Sequence, residues 1–431
     1  MTKIDKDLRE RCIDTLRFLA ADTVEKASSG HPGMPMGAAA AAFVMWHDFL
    51  RTDPTRLDWV ARDRFVLSAG HASSLLYGLL HCAGAGLDME DLQSFRQWGS
   101  RTPGHPESGL TPGVETTSGP LGQGFANGVG MGLAAKLLAA RLGPGGKDLF
   151  GHRIFALVSD GDLQEGISHE AASIAGHLGL DNLVYVYDSN AITIEGSTEL
   201  SMSDDPAGRF AALGWFVQDV DGHDAQALRA ALERACAEEG RPSIIVSRSH
   251  IGFGSPKQDS SSCHGWPRGA AARAATREKL GWPETPFHVP DEVRDVWRRW
   301  GERGRQARED WDARYGRWKE DHPDLADELE AMQRGDLPED LLDQLVAAAG
   351  QDEAATRVLS GKVLQRAAAL LPSLIGGSAD LAPSNKTLLP GEKDVTAGEG
   401  MAGRNLHFGI REHAMAAIAN GMILHGPWRP Y

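Results

Sequence analysis

The stretch RIFALVSDGDLQEG, residues 153–166, runs six apolar or small residues into three acids, Asp160, Asp162 and Glu165. A near-continuous apolar run of this length, closed by a polar residue and a glycine, is the pattern of a strand buried on both faces. Four more runs share it: RFVLSAGHA (64–72), NLVYVYDSN (182–190), WFVQDVDGHD (215–224) and SIIVSRSHIG (243–252). Helical stretches such as GVGMGLAAKLLAARLG, HEAASIAGHLGL and DAQALRAALERACAEE lie between them. Strand and helix in alternation predict an α/β fold, a doubly wound parallel sheet with helices on both faces.

Outward from that core, residues 1 to about 50 read as two helices broken at SGHPG. Residues 291–350 are dense in charge of both signs, with Trp and Leu at helical spacing, and predict a helical connector with one apolar stripe. DEAATRVLSGKVLQRAAALLPSLIGGSADLAPSNKT opens a second α/β segment, which reads as incomplete at Tyr431 and is expected to expose apolar surface. The expected division is therefore 1–290, 291–350 and 351–431.

The formal net charge is −15, which disfavours a nucleic-acid or anionic-membrane partner, since phosphate binders need a basic surface. No apolar run reaches the roughly 20 residues that span a bilayer. The N-terminal MTKIDKDLRE is too polar to read as a secretory signal. Four cysteines, Cys12, Cys82, Cys236 and Cys263, form no CxxC pair. A reducing, cytoplasmic setting is expected.

In a parallel sheet, ligands gather at the carboxyl ends of the strands. Asp160 and Asn190 end two of the runs and offer hard oxygen donors, suited to Mg2+ or Ca2+. Mg2+ usually bridges to phosphate, so a diphosphate cofactor is the natural third party, and Gly161 permits its close approach. TTSGPLGQGFANGVG (116–130) reads as a phosphate-cradling turn whose helix N-terminus faces an anion, with Gly128, Gly130 and Gly132 marking close helix packing. Four histidines, His31, His71, His105 and His264, sit in Gly-, Ser- or Pro-containing loops and suggest one shared pocket. His47, His81, His152, His169, His177 and His250 carry only a structural reading.

Nine motifs then occur in order: SGHPGMPMG, RTPGHPE, TTSGPLGQG, SDGDLQEGISHEA, YDSNAITIEG, IGFGSP, HG at 264–265, GGSADLAPSN and FGIREHAMAAIANGM. Together they resemble the transketolase family of thiamine-diphosphate enzymes. The resemblance implies that Asp160, Asn190 and the Ile192 carbonyl bind Mg2+ (or Ca2+, Mn2+), with His71, Gly119, Leu121, Gly161, His264 and Glu165 around the cofactor. It implies that His31, His105 and His264 meet the substrate, with Arg357 and Ser384 clamping a sugar phosphate. It makes Glu412 the cofactor-activating carboxyl, with His264 and His31 beside it in catalysis. The implied reaction is reversible transfer of a two-carbon ketol unit from a ketose phosphate such as xylulose 5-phosphate to an aldose phosphate such as ribose 5-phosphate.

The implied assembly is a homodimer with sites between subunits, or a partner supplying missing domains. Two departures stand out. Ser159 replaces the family's usual Gly, and further family site residues fall after Tyr431, so little turnover is expected from this chain alone. A related ketol transferase such as dihydroxyacetone synthase and a non-catalytic or split subunit remain as alternatives, as does the choice between pentose-phosphate and carbon-fixation pathways. Asp162 matches no role in the resemblance and reads as a helix-start residue.

Overall fold

The computed structural model describes residues 4–143, 145–265 and 269–431. Its main sheet has β1 (Arg64–Leu67), β2 (Ile154–Ser159), β3 (Leu183–Ser189), β4 (Phe216–Asp221) and β5 (Ser243–Arg248), all parallel in the order β1-β2-β3-β5-β4. Leu157 lies opposite Leu67 on one side and Val186 on the other. Alternation along β2 sends Ile154, Ala156 and Val158 into one core and Phe155 and Leu157 into a second. Because helices cover both faces, neither set faces water, and the strand reads as one apolar run. β4 is the exception: it lies at the sheet edge and none of its residues is buried.

The helix Lys6–Ala27 starts at Asp5, whose carboxylate accepts from the Leu8 N–H at 2.8 Å, and it ends at Ser28 in the left-handed region. The next helix, Gly33–Val44, is buried along its whole length. Its small residues let the 250–263 segment press against it: a Cβ at Gly33 would lie 2.6 Å from the Cys263 carbonyl oxygen. That contact seats the His264 loop beside the His31 loop.

The helix Asp291–Asp321 buries Trp297, Trp300, Trp311 and Trp318 along one stripe. The Trp300 indole N–H donates to the Trp46 carbonyl at 2.9 Å, and that of Trp311 to the Leu149 carbonyl at 2.7 Å. Two further helices, Pro323–Arg334 and Leu341–Ala349, lead to a small parallel sheet of β6 (Leu374–Ser378), β7 (Asn405–His407) and β8 (Arg429–Pro430), ordered β7-β6-β8. This sheet shares a core with the first unit through the helix Glu412–His425, which crosses the helix Gln123–Arg141 at glycines. A Cβ at Gly130 would collide with the Ile418 carbonyl oxygen, and one at Gly421 with that of Asn127. Gly128 and Gly132 make equally close approaches to Tyr185 and Leu183, so Gly128, Gly130 and Gly132 all serve packing. Ile410, Ile423 and Leu424 are exposed in this region. Among the described residues no helix is long and apolar enough to cross a membrane.

Candidate functional site

The end of β2 meets the end of β3 at a buried acidic corner. Asp160 is 3% exposed and begins the short helix Asp160–Gln164. Its Oδ1 accepts from the Tyr187 hydroxyl at 2.5 Å and its Oδ2 from the Asn190 N–H at 3.3 Å. Burial raises its pKa against those two donors, so the carboxylate's charge is only partly offset by the protein. The Asn190 amide is oriented on both sides: its Nδ2 donates to Asp188 Oδ2 at 2.8 Å, and its Oδ1 accepts from the Ile192 N–H at 3.0 Å. Asp160, Asn190 and Ile192 therefore share one corner, and its oxygen-only donors with a surplus negative charge fit a hard divalent cation. Among the described residues no group of three or more His, Cys, Asp or Glu side chains could hold a metal ion. A cation here would need main-chain and ligand oxygens to complete its shell.

Asp188 is a residue the sequence reading missed. It is buried, accepts from the Ser249 hydroxyl, and burial pushes its carboxyl up to about 7. Its place in YDSN, two residues before Asn190 on one strand face, was the available signal.

The start of the helix Gln123–Arg141 faces an anion within the protein itself, Asp162. Asp162 is fully buried; Oδ1 accepts from the Gly122 N–H at 2.8 Å and the Ser68 hydroxyl at 2.7 Å, and Oδ2 from the Ser159 N–H at 2.8 Å. The Ser68 hydroxyl in turn accepts from the Phe125 N–H at 2.9 Å. Asp162 thus ties together the ends of β1 and β2 and the turn, which is more than a helix start. Ser159, at the departure from the family's Gly, supplies two of its bonds.

Around that tie the backbones crowd together. A Cβ at Gly70 would lie 2.6 Å from the Gly119 nitrogen, one at Gly161 would lie 2.7 Å from Leu121, and one at Gly119 would lie 3.2 Å from His105. The Ser118 hydroxyl is buried there with no hydrogen-bond partner. A narrow, glycine-lined cradle with an orphaned hydroxyl fits a diphosphate oxygen.

The four loop histidines converge beside the cradle. Ring centroids of His31 and His71 are 5.4 Å apart, His31 and His105 6.1 Å, His31 and His264 5.6 Å, and His71 and His264 5.1 Å. Burial and the neighbouring imidazoles and Arg96 lower His31 to about 4; burial also lowers His71, His105 and His264. All four are neutral hydrogen-bonding rings near pH 7. The segment carrying His105 is pinned by the Ser73 hydroxyl donating to the Gly104 carbonyl and the Tyr77 hydroxyl to that of Pro103, both at 2.8 Å. Residues 266–268, which follow HG at 264–265, lie outside the described residues.

The other predicted residues stand elsewhere. Glu165 is exposed at the break before the helix Gly166–Leu178. Glu412 is exposed at the start of its helix, whose Ala414 N–H donates to Glu170 at 2.9 Å and whose His413 meets Gln123 at 3.0 Å. Glu170, unremarked in the sequence reading, is the carboxylate that holds this helix start. Arg357 and Ser384 are exposed on neighbouring segments of the second unit, where Gly361 packs on Lys386. No hydrogen bond, ion pair or ring contact among the described residues joins Glu412, Arg357 or Ser384 to the histidines.

Residues 8–338 match the family described as transketolase, thiamine diphosphate binding domain, and residues 352–431 match transketolase, pyrimidine binding domain. A transketolase from Halalkalibacterium halodurans is 47% identical over 426 residues, covering 98% of this chain. Transketolase 2 of Escherichia coli K12 is 46% identical over 432 residues, again covering 98% of this chain. The chain spans 64% of the length of each of these relatives. A solved transketolase from Pichia stipitis, in complex with sedoheptulose 7-phosphate, superposes with a TM-score of 0.96 at 39% identity, covering 99% of this chain and 64% of that one.

Proposed function

This chain belongs to the transketolase family, and from that premise we propose that it binds thiamine diphosphate with a divalent cation for reversible ketol transfer between sugar phosphates. The observation that carries the reading is the shared rim: the Asp160–Asn190 corner, the glycine cradle and four neutral histidines lie on one edge of one sheet.

Asp160, Asn190 and the Ile192 carbonyl would hold the cation, Mg2+ with Ca2+ or Mn2+ as substitutes. His71, Gly119, Leu121 and Gly161 would line the diphosphate, with His264 over it. Thiamine diphosphate, when bound, supplies the centre that stabilises the carbanion. The protein's part is to bind, orient and handle protons. His31, His105 and His264 would hydrogen-bond sugar and phosphate oxygens as neutral rings. Arg357 and Ser384 would grip the substrate phosphate, and Glu412 would hold a proton toward the aminopyrimidine.

Because those last three residues make no contact with the histidines in one chain, the reading includes a homodimer with each site built from two subunits and Glu165 near the contact. It also retains a cytoplasmic setting and divisions of the chain near residues 290 and 350. Calorimetric titration with thiamine diphosphate, with and without Mg2+, followed by assay of transfer from xylulose 5-phosphate to ribose 5-phosphate, tests it. Saturable, Mg2+-dependent cofactor binding is expected. Failure to bind cofactor under any cation condition would overturn the reading.

A further inference from the structure

Arg96, in SFRQWGS, stands behind the histidine cluster with no assigned task. Its backbone takes φ +60, a left-handed region strained for a residue with a side chain, and its N–H donates to the Thr102 carbonyl at 3.0 Å. The guanidinium runs past Gly104, where a Cβ would lie 2.8 Å from Nε, and its carbon sits 5.5 Å from the Phe95 ring centre. Nη1 donates to the Ser29 hydroxyl at 2.8 Å, and Nη2 reaches His31 Nδ1 at 3.4 Å. Nε is buried with no hydrogen-bond partner, and among the described residues no carboxylate forms an ion pair with this arginine. A strained backbone and a half-satisfied cation are costs that point to a task.

A guanidinium has donors only. Its contact with Nδ1 therefore requires a lone pair on that nitrogen, which puts the proton of neutral His31 on Nε2. The Nε2 edge faces the other side of the ring: the position of a Cβ on Gly265 is 3.3 Å from His31 Cδ2 and 3.6 Å from Nε2, beside the His264 ring. The groups facing His31 are Arg96, His71, His105 and His264, and none carries negative charge. A second proton on His31 would meet the guanidinium directly.

We propose that Arg96 is a positioning residue that locks His31 in its neutral Nε2–H form, so that the ring donates a hydrogen bond to an oxygen of the bound sugar phosphate and does not act as a base. The substrate half of this statement rests on the function proposed above; the tautomer half does not.

The test is nitrogen NMR of the full chain labelled with 15N-histidine, with His31 assigned by the signals lost in His31→Gln. The expected spectrum has His31 Nδ1 bare and Nε2 protonated, with no titration until about pH 4. Arg96→Met is expected to populate the Nδ1–H form and move the titration midpoint upward. Arg96→Lys, which keeps a charged donor, is expected to retain the wild-type pattern. Added xylulose 5-phosphate with cofactor and Mg2+ is expected to shift the Hε2 signal. A proton on Nδ1 in the wild type, or a wild-type spectrum in Arg96→Met, overturns the assignment. If Arg96→Met does not fold, the wild-type tautomer and Arg96→Lys decide it. An unshifted Hε2 in the presence of bound substrate removes the donor role. Absence of cofactor binding with the expected tautomer defeats the functional reading and leaves the Arg96 lock standing.

Discussion

Two groups of histidines sit at opposite ends of the same sheet. His31, His71, His105 and His264 gather where the strands end, and His105 stays exposed to solvent. His152 precedes β2 at the other end and pairs with His425, Nε2 to Nε2 at 2.7 Å, with rings stacked at 5.0 Å. Burial holds both groups neutral, and the shift is as deep in the closed pair, where His425 is lowered to about 3. The His425 Nδ1 contacts the Gly426 carbonyl, so it donates there and Nε2 accepts from His152. That leaves His152 Nδ1 bare, in agreement with its lack of a partner. The closed pair is a finished joint between the two units. The open group keeps unspent nitrogens beside a glycine cradle and an undercompensated carboxylate. A depressed pKa marks burial in both places; only position on the ligand-binding rim marks chemistry.

The comparison is broken most severely at the open end by Asp160→Ala. Cofactor affinity in the presence of Mg2+ is expected to fall by about a hundredfold or more, read by calorimetry. Affinity within a few-fold of wild type would return Asp160 to a purely structural role.

Between the two ends, Gly130→Val drives a side chain into the Ile418 carbonyl where the two helices cross. Loss of about 3 kcal/mol of stability is expected from chemical denaturation. An unchanged midpoint would mean that the crossing is not tight.

A pH scan combined with a substitution in the closed pair isolates its share of the acid sensitivity. The folded chain holds His152 and His425 unprotonated well below 6.5, while the unfolded chain binds those protons. The unfolded state therefore carries more protons, and stability falls as pH drops from about 6.5 towards 4. His425→Gln is expected to flatten that fall. A slope identical to wild type would contradict the assignment of this titration to the pair.

The smallest effect is expected for His105→Ala. Its ring is exposed, so stability should move by less than about 0.5 kcal/mol. Sugar-phosphate affinity should fall by about tenfold, the worth of one hydrogen bond. A large loss of stability with intact binding would place His105 among the structural histidines.

The sequence made the strands legible because their apolar runs reflect burial on both faces, and strand ends are where Asp160 and Asn190 had to be sought. Loop composition likewise singled out the four histidines. What stayed hidden is partnership across distance. Asp162 finds Ser68 94 residues away, and Arg96 finds His31 65 residues away. Neither pairing leaves a local pattern, so one acid read as a helix start and the arginine drew no reading. Asp188 and Glu170 were missed for the same reason: each does its work by orienting another residue, Asn190 in one case and the start of the Glu412 helix in the other.

The two histidine groups also supply the most direct test of the account. With 15N-histidine in the chain, thiamine diphosphate and Mg2+ are added and every imidazole signal is followed. The account predicts shifts at His31, His71 and His264 and none at His152 or His425. Shifts confined to His152 and His425, with the rim group unmoved, would contradict it.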